Sequence, residues 1–242
     1  LFAPVAYVIG IILLIVVDFT GHVGKGAQRW LDLAFIRFQP SEIMKLAVPM
    51  VCAWYMHERP QPPTAKDLLV MGLLIAIPTG LIVKQPDLGT ALLIASSGLI
   101  LILLAGLQVS IILASIPALA GIAWAGWHFM HDYQRQRVLT FLNPQNDPLG
   151  AGYHIIQSQI AIGSGGVFGK GYMHGSQAQL EFLPERSTDF IFAVIGEEFG
   201  LLGQLLVLTL YGVIIGRALY MAMQSQDTFS RLTGGTIALS FF

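Results

Sequence analysis

Long, nearly uninterrupted apolar runs dominate this chain. Phe2 to Val17, Leu68 to Val83, Ala91 to Leu107 and Ile111 to Trp127 are each too apolar for a soluble surface. About 20 such residues cross a bilayer as a helix, since a helix satisfies its own backbone groups in hydrocarbon. Only 11% of residues are charged and the mean hydropathy is +0.68, whereas an ordinary soluble domain is about 25% charged. The expected fold is therefore all-α, a polytopic helical membrane protein. A β-barrel would instead show short segments of alternating polarity.

Spans are expected near 2–17, 41–55, 68–83, 91–107, 111–127, 189–223 and 232–242, within a single transmembrane domain over 1–242. Pro78 predicts a kink in the third. Asp87 and Thr90, in the turn KQPDLGT, are placed to cap the helix that follows. The run from Asp189 toward Met223 exceeds one span, so it tilts, kinks or begins outside the bilayer. The chain opens Leu-Phe-Ala-Pro, without Met or a basic leader, and ends in an apolar run, so a piece of a larger protein is expected. Cys52, the sole cysteine, allows no intrachain disulfide. A net charge of −1 gives no general attraction to nucleic acid, and no nucleic-acid partner is expected.

Polar residues that interrupt this pattern are the functional candidates. Lys25, Arg29, Trp30 and Arg37 lie in a segment too polar to span, which suits the membrane interface. They are either an aromatic belt with solvated charges or a headgroup site. Glu42 and Lys45 share a helix face three residues apart, behind a possible Ser41 cap. They are either a self-neutralising pair or the wall of a polar cavity, and the cavity is favoured because apolar residues would serve a purely structural role.

The long loop 128–187 opens with HDYQRQRV, carrying Arg135 and Arg137. A loop of such length in a compact protein is usually functional. Tyr153 to Ile162 reads as a short interfacial helix. Gly163 to Gly166 (GSGG) reads as a flexible turn, or as backbone N–H groups offered to phosphate.

The stretch QLEFLPERSTDFIFAVIGEEFG, Gln179 to Gly200, joins this loop to the next span. Pro184 stiffens its entry, and Thr188 and Asp189 stand where an N-cap belongs, beside Glu185 and Arg186. Glu197 and Glu198 fall within the expected membrane span, where a carboxylate costs several kcal/mol unless it meets a partner or water. Alternating the loops between sides gathers Lys25, Arg29, Arg37, Lys84, Arg135, Arg137, Lys170 and Arg186 on one face with Asp189. The short loops alone balance, so positive-inside counting leaves orientation open. Cations gathered on one face suit an anionic lipid headgroup.

These stretches also carry a resemblance. KGAQRWLDL, RFQPSEI, KQPDLGT, HDYQRQRV, NDPLGAGYHIIQSQIAIGSGG and QLEFLPERSTDFIFAVIGEE, in this order, resemble the SEDS family (shape, elongation, division and sporulation), most closely its elongation branch. The resemblance covers the whole chain. It implies a ten-span protein of the bacterial cytoplasmic (inner) membrane, of which this chain would lack roughly the first two spans and the end. It places the long loop and Asp189 on the outer, periplasmic face. It implies a glycosyltransferase that polymerises lipid II, working with a class B penicillin-binding protein, the elongation transpeptidase, and the rest of the elongation machinery. The family's essential aspartate maps onto Asp189. One departure is Ser187, where the family often has His.

Glycosyl transfer needs a base for the acceptor hydroxyl and stabilisation of the leaving pyrophosphate. Asp189 is the expected base. Lys45, Arg29 and Arg135 or Arg137 are the expected pyrophosphate ligands, with Glu42 orienting Lys45 and Trp30 covering a sugar or the lipid neck. A divalent cation, Mg or Mn, can replace part of that charge, although no His spacing here marks a metal site. The rival readings are a lipid II flippase and a non-catalytic scaffold that activates the penicillin-binding protein.

Overall fold

The computed structural model describes residues 2–20, 22–24, 27–32, 37–107, 111, 113, 117, 120, 121, 124–128, 130, 132–148, 150–180, 182 and 187–241. Its contacts define two compact units, one of Leu1–Leu113 with Ile214–Phe242 and one of Ala114–Val213. Helices α1 (Phe2–Thr20), α2 (Pro40–His57), α3 (Ala65–Lys84) and α4 (Leu88–Leu104) belong to the first. The described residues between 111 and 128 are helical. Helices α5 (Asp132–Leu142), α6 (Ala151–Ser164) and the single turn α7 (Ser176–Gln179) belong to the second unit, with a 3₁₀ turn at Pro144–Asn146. Helix α8 (Ile191–Gln224) begins in the second unit and ends in the first, and α9 (Thr228–Ser240) closes the first.

Among the described residues, Phe2–Phe19, Ala65–Lys84 and Ile191–Gln224 are long and apolar enough to cross a membrane. Leucines and isoleucines stand exposed along their outer faces, such as Ile9, Ile12, Leu73, Ile77 and Leu206. In water that surface would be a liability; in lipid it is the solvated face. The chain is a multi-pass membrane protein.

In the first unit α2 is the hub, packing against α1, α3, α4 and α9. Its buried face includes Met44, Val48, Val51, Cys52 and Met56. Polar groups join the helices where regular bonding fails. Pro78 has no N–H to donate to the Leu74 carbonyl one turn earlier, and that carbonyl accepts instead from the Tyr7 hydroxyl of α1 at 3.0 Å. Gln85 Nε2 donates to the Leu14 carbonyl at 2.9 Å, and Lys84 pairs with Asp18. Asp87 caps α4, accepting from the Thr90 N–H at 3.3 Å and the Thr90 hydroxyl at 3.0 Å. Ser41, in contrast, does not cap α2. Proline's fixed φ suits the first helical position, so the helix starts at Pro40, Gln39 takes the cap position and Ser41 is buried inside.

Between α1 and α2 runs a small antiparallel ribbon of β1 (His22–Gly24), β2 (Ala27–Asp32) and β3 (Arg37–Phe38). Trp30 pairs with His22, and Leu31 with Phe38. The long loop is largely helical too. The HDYQRQRV segment lies at the start of α5, and the expected helix over Tyr153 to Ile162 lies within α6.

Helix α8 breaks at Gly200, whose φ of 66° and ψ of −160° suit only glycine. A Cβ there would strike the Gly169 nitrogen and the Val167 carbonyl. Gly200→Ala should lower unfolding free energy by about 1–3 kcal/mol, read as a fall in thermal midpoint in detergent. A second expectation concerns Asp227, the N-cap of α9. It accepts from the Ser230 N–H at 3.1 Å and the Ser230 hydroxyl at 2.9 Å and pairs with His57 at 2.9 Å. The Ser230 bonds, aided by His57, hold its carboxyl below the usual range. A depressed folded pKa contributes stability above the unfolded value, about 3.9, and loses it as pH falls through the folded value. Wild type should therefore lose more thermal stability on acidification below about pH 4 than Asp227→Asn does.

Candidate functional site

The candidate residues fall on both units. In the first, Glu42 and Lys45 lie one turn apart in the first half of α2, with Lys45 Nζ 2.7 Å from Glu42 Oε2. They form one wall of a cavity of about 360 Å³ completed by Leu93 and Ser97 of α4 and by Ile237 and Ser240 of α9. The pair is the charged patch of this cavity, with Lys45 37% and Glu42 53% exposed. Of the expected headgroup contacts, Trp30 is partly exposed on β2. The side chains of Arg29 and Arg137 lie outside the described residues, as do Lys25, Pro184, Glu185 and Arg186.

In the second unit, Ser187 to Phe190 form the turn directly ahead of α8, with Thr188 and Asp189 exposed. Behind Asp189, Phe190 packs on the small pair Ala161 and Ala193, and the His154 ring of α6 lies 6.3 Å from its ring. The Asp189 carboxylate thus faces outward from an anchored turn. Arg135 turns back onto the chain before α5, donating from Nε to the Trp127 carbonyl at 2.9 Å and from Nη2 to the His128 carbonyl at 2.7 Å. Its remaining N–H groups are what it can offer a ligand.

The two carboxylates inside the span have a structural setting that the sequence did not reveal. Where α8 breaks, residues 165–177 run alongside it. The regular bonds from Leu201 N–H to the Glu197 carbonyl, and from Leu202 N–H to the Glu198 carbonyl, are replaced. The Glu197 carbonyl accepts from Lys170 N–H and the Glu198 carbonyl from Gly171 N–H, both at 2.9 Å. The freed Leu201 and Leu202 N–H groups donate to the Gly166 and Val167 carbonyls at 2.9 and 3.2 Å.

Glycine makes this approach possible, because side chains on Gly165 or Gly169 would collide with the α8 backbone. The expected flexible turn at Gly163–Gly166 is therefore packed: Gly163 and Ser164 end α6, and Gly165 and Gly166 abut α8. Glu197, fully buried, meets Lys170 Nζ at 2.7 Å, the Ser176 hydroxyl at 3.1 Å and the Gln177 N–H at 3.1 Å. The sequence signal for this partner is the glycine series through 163–175 facing Gly196 and Gly200.

Among the described residues, no group of three or more His, Cys, Asp or Glu side chains converges to hold a metal ion.

The FtsW/RodA/SpoVE family model, described as a cell cycle protein family, matches residues 1–242. A peptidoglycan glycosyltransferase MrdB of Escherichia coli K12 is 54% identical over 99% of this chain. A probable peptidoglycan glycosyltransferase FtsW of Trichlorobacter lovleyi is 38% identical over 96% of it. The chain spans 65% and 62% of the length of these relatives, respectively.

Among solved structures, one chain of a peptidoglycan synthase complex, reported for its coordination of polymerisation and crosslinking, superposes with a TM-score of 0.80. It is 31% identical, over 98% of this chain and 66% of that one. The Thermus thermophilus rod shape determining protein RodA gives a TM-score of 0.64 at 27% identity, over 98% of this chain and 61% of that one.

The exposure of the Glu42–Lys45 pair sets its contribution to stability. A half-exposed i,i+3 pair is worth below about 1 kcal/mol. Glu42→Gln and Lys45→Met should each leave the unfolding free energy within that margin, measured by thermal or denaturant unfolding in detergent. A larger loss would show that the pair supports the fold rather than the cavity.

Proposed function

The chain belongs to the FtsW/RodA/SpoVE family, and on that premise we propose that it is a membrane-embedded part of a peptidoglycan glycosyltransferase. Its activity is the polymerisation of lipid II into glycan strands during cell elongation and maintenance of rod shape. The observation that carries this reading is Asp189, exposed on a turn whose neighbouring side chain, Phe190, is anchored. The identity to relatives named glycosyltransferases supports it.

The chemistry follows from that carboxylate. The acceptor sugar's 4-hydroxyl attacks the anomeric carbon of the donor, and Asp189 takes the hydroxyl proton as the new C–O bond forms. The bond from that carbon to the pyrophosphate breaks, and polyprenyl pyrophosphate leaves with the electron pair. Negative charge grows on the leaving oxygen, so cations placed in advance lower the barrier. Lys45 (oriented by Glu42), Arg29, and Arg135 or Arg137 are assigned to supply that charge, with Trp30 covering a sugar or the lipid neck. A Mg or Mn ion brought with the pyrophosphate would add positive charge there.

The active face is the outer, periplasmic face of the bacterial inner membrane. The partner is a class B penicillin-binding protein of the elongation machinery. The likeness to a chain from a peptidoglycan synthase complex supports a crosslinking partner of this type.

The test is lipid II polymerisation by the full-length protein purified with its partner. Asp189→Asn should abolish polymer, a loss of at least about 100-fold for a removed general base, while the thermal midpoint stays unchanged because Asp189 is exposed. Polymer at the wild-type rate from that variant would refute the base assignment. If neither protein makes polymer and lipid II crosses between vesicle leaflets, the protein is a transporter.

A further inference from the structure

Glu197 and Lys170 have no part in the chemistry described above, yet they pair a fully buried carboxylate with an ammonium that stays 31% exposed. A carboxylate withdrawn from water, as Glu197 is, is costly even when paired, and a well-packed apolar side chain commonly gives equal or greater stability. Stability alone therefore does not explain them. Their geometry does.

Lys170 is joined to Glu197 twice. Its backbone N–H donates to the Glu197 carbonyl at 2.9 Å, and its Nζ reaches Glu197 Oε1 at 2.7 Å. Backbone bonds leave the choice of register to side chains: the glycines narrow it, because a shift of one residue would bring the Cβ of Phe168 or Lys170 to the place of Gly169, against the α8 backbone. The charged pair distinguishes one register from its neighbours. Ser176 and Gln177 complete the hold by donating to the same carboxylate. Gly175 is part of it, because a Cβ there would press on the Glu197 carboxylate.

This clamp grips α8 about two helical turns from Asp189. The intervening stretch, Ile191–Phe199, is helical up to the break at Gly200. At its other end Phe190 rests on Ala161 and Ala193. A short, stiff segment held at both ends fixes the direction of the turn that begins it. We infer that Lys170 and Glu197 are positioning residues for Asp189: their pairing sets the register of residues 165–177 against α8 and so aims the Asp189 carboxylate at the acceptor hydroxyl. The inference rests on the reading of Asp189 as the base.

The experiment is steady-state lipid II polymerisation by the full-length protein with its partner, normalised to folded protein by size-exclusion chromatography. Lys170→Met, Glu197→Gln, Lys170→Arg, Ser176→Ala and Asp189→Asn are compared. A misaimed base lowers kcat by about 10- to 100-fold and leaves KM within about twofold. That pattern is expected for Lys170→Met and Glu197→Gln, with Lys170→Arg recovering most of the lost kcat. Ser176→Ala removes two hydrogen bonds, one donated to Glu197 and one accepted from Lys170 Nζ, and strands no charge, so it should fold and lower kcat about 5- to 100-fold, roughly the value of those bonds. It decides the matter if the two charge variants do not fold.

Unchanged kcat per folded molecule in the charge variants, or in Ser176→Ala when they do not fold, overturns the positioning role. So does Lys170→Arg performing no better than Lys170→Met. If these results appear while Asp189→Asn is inactive, the positioning inference alone fails; full activity of Asp189→Asn removes the base assignment beneath it.

Discussion

A backbone exchange at the break in α8 is the constraint on which the second unit depends. Hydrocarbon supplies no hydrogen-bond partners, so irregular backbone at membrane depth survives only when protein satisfies it. Here the accounting closes. The Glu197 and Glu198 carbonyls and the Leu201 and Leu202 N–H groups all find partners in residues 166–171. Each partner is a main-chain group whose own needs are met in the same step. Gly200 gives the helix its turn, and the glycines opposite give the approaching segment its closeness. A helix that would otherwise run unbroken from Ile191 to Gln224 is thus divided at Gly200, leaving a short first segment that Asp189 precedes.

The first unit solves the same problem with side chains. Pro78 leaves a carbonyl without its helical donor, and Tyr7 supplies one. Gln85 bonds to the Leu14 carbonyl, and Gln39 donates to Asp87 at 3.1 Å, tying the entry of α2 to the cap of α4. These links lie at or near the motifs RFQPSEI and KQPDLGT. Their polar residues hold helix ends together around the cavity that carries Glu42 and Lys45. Helix joining by Gln39, Gln85 and Asp87 is one reason such polar motifs stand out in an apolar chain.

Local rules carried much of the reading from sequence. Apolar length marked the three described helices long enough to cross a membrane, Asp87 and Thr90 announced a cap, and the excess length of the last long helix announced a bend or tilt. Glu42 and Lys45 were legible as a pair because helical spacing puts them on one face. What was not legible was non-local. Nothing near Glu197 in sequence names Lys170, since their meeting depends on the return path of a glycine segment. The ribbon over 22–38 was hidden because its strands are short and its residues suit an interface equally well. Ser41 was misread because two adjacent residues, each able to begin a helix, leave one position uncertain, and proline's fixed dihedral decides it.

The contact between Lys170 and Glu197, 27 residues apart, also closes a ring, and Asp189 lies within that ring. Closing a flexible loop of such a length removes on the order of 3 kcal/mol of chain entropy. That entropy is lost when the protein folds, before any substrate arrives. The arrangement is the protein counterpart of a macrocycle: a reactive group on a tethered ring explores less space than the same group on a free strand. On the proposed reading of Asp189 as the base, the entropy of aligning its carboxylate is part of the cost of folding and is not charged again at each encounter with substrate.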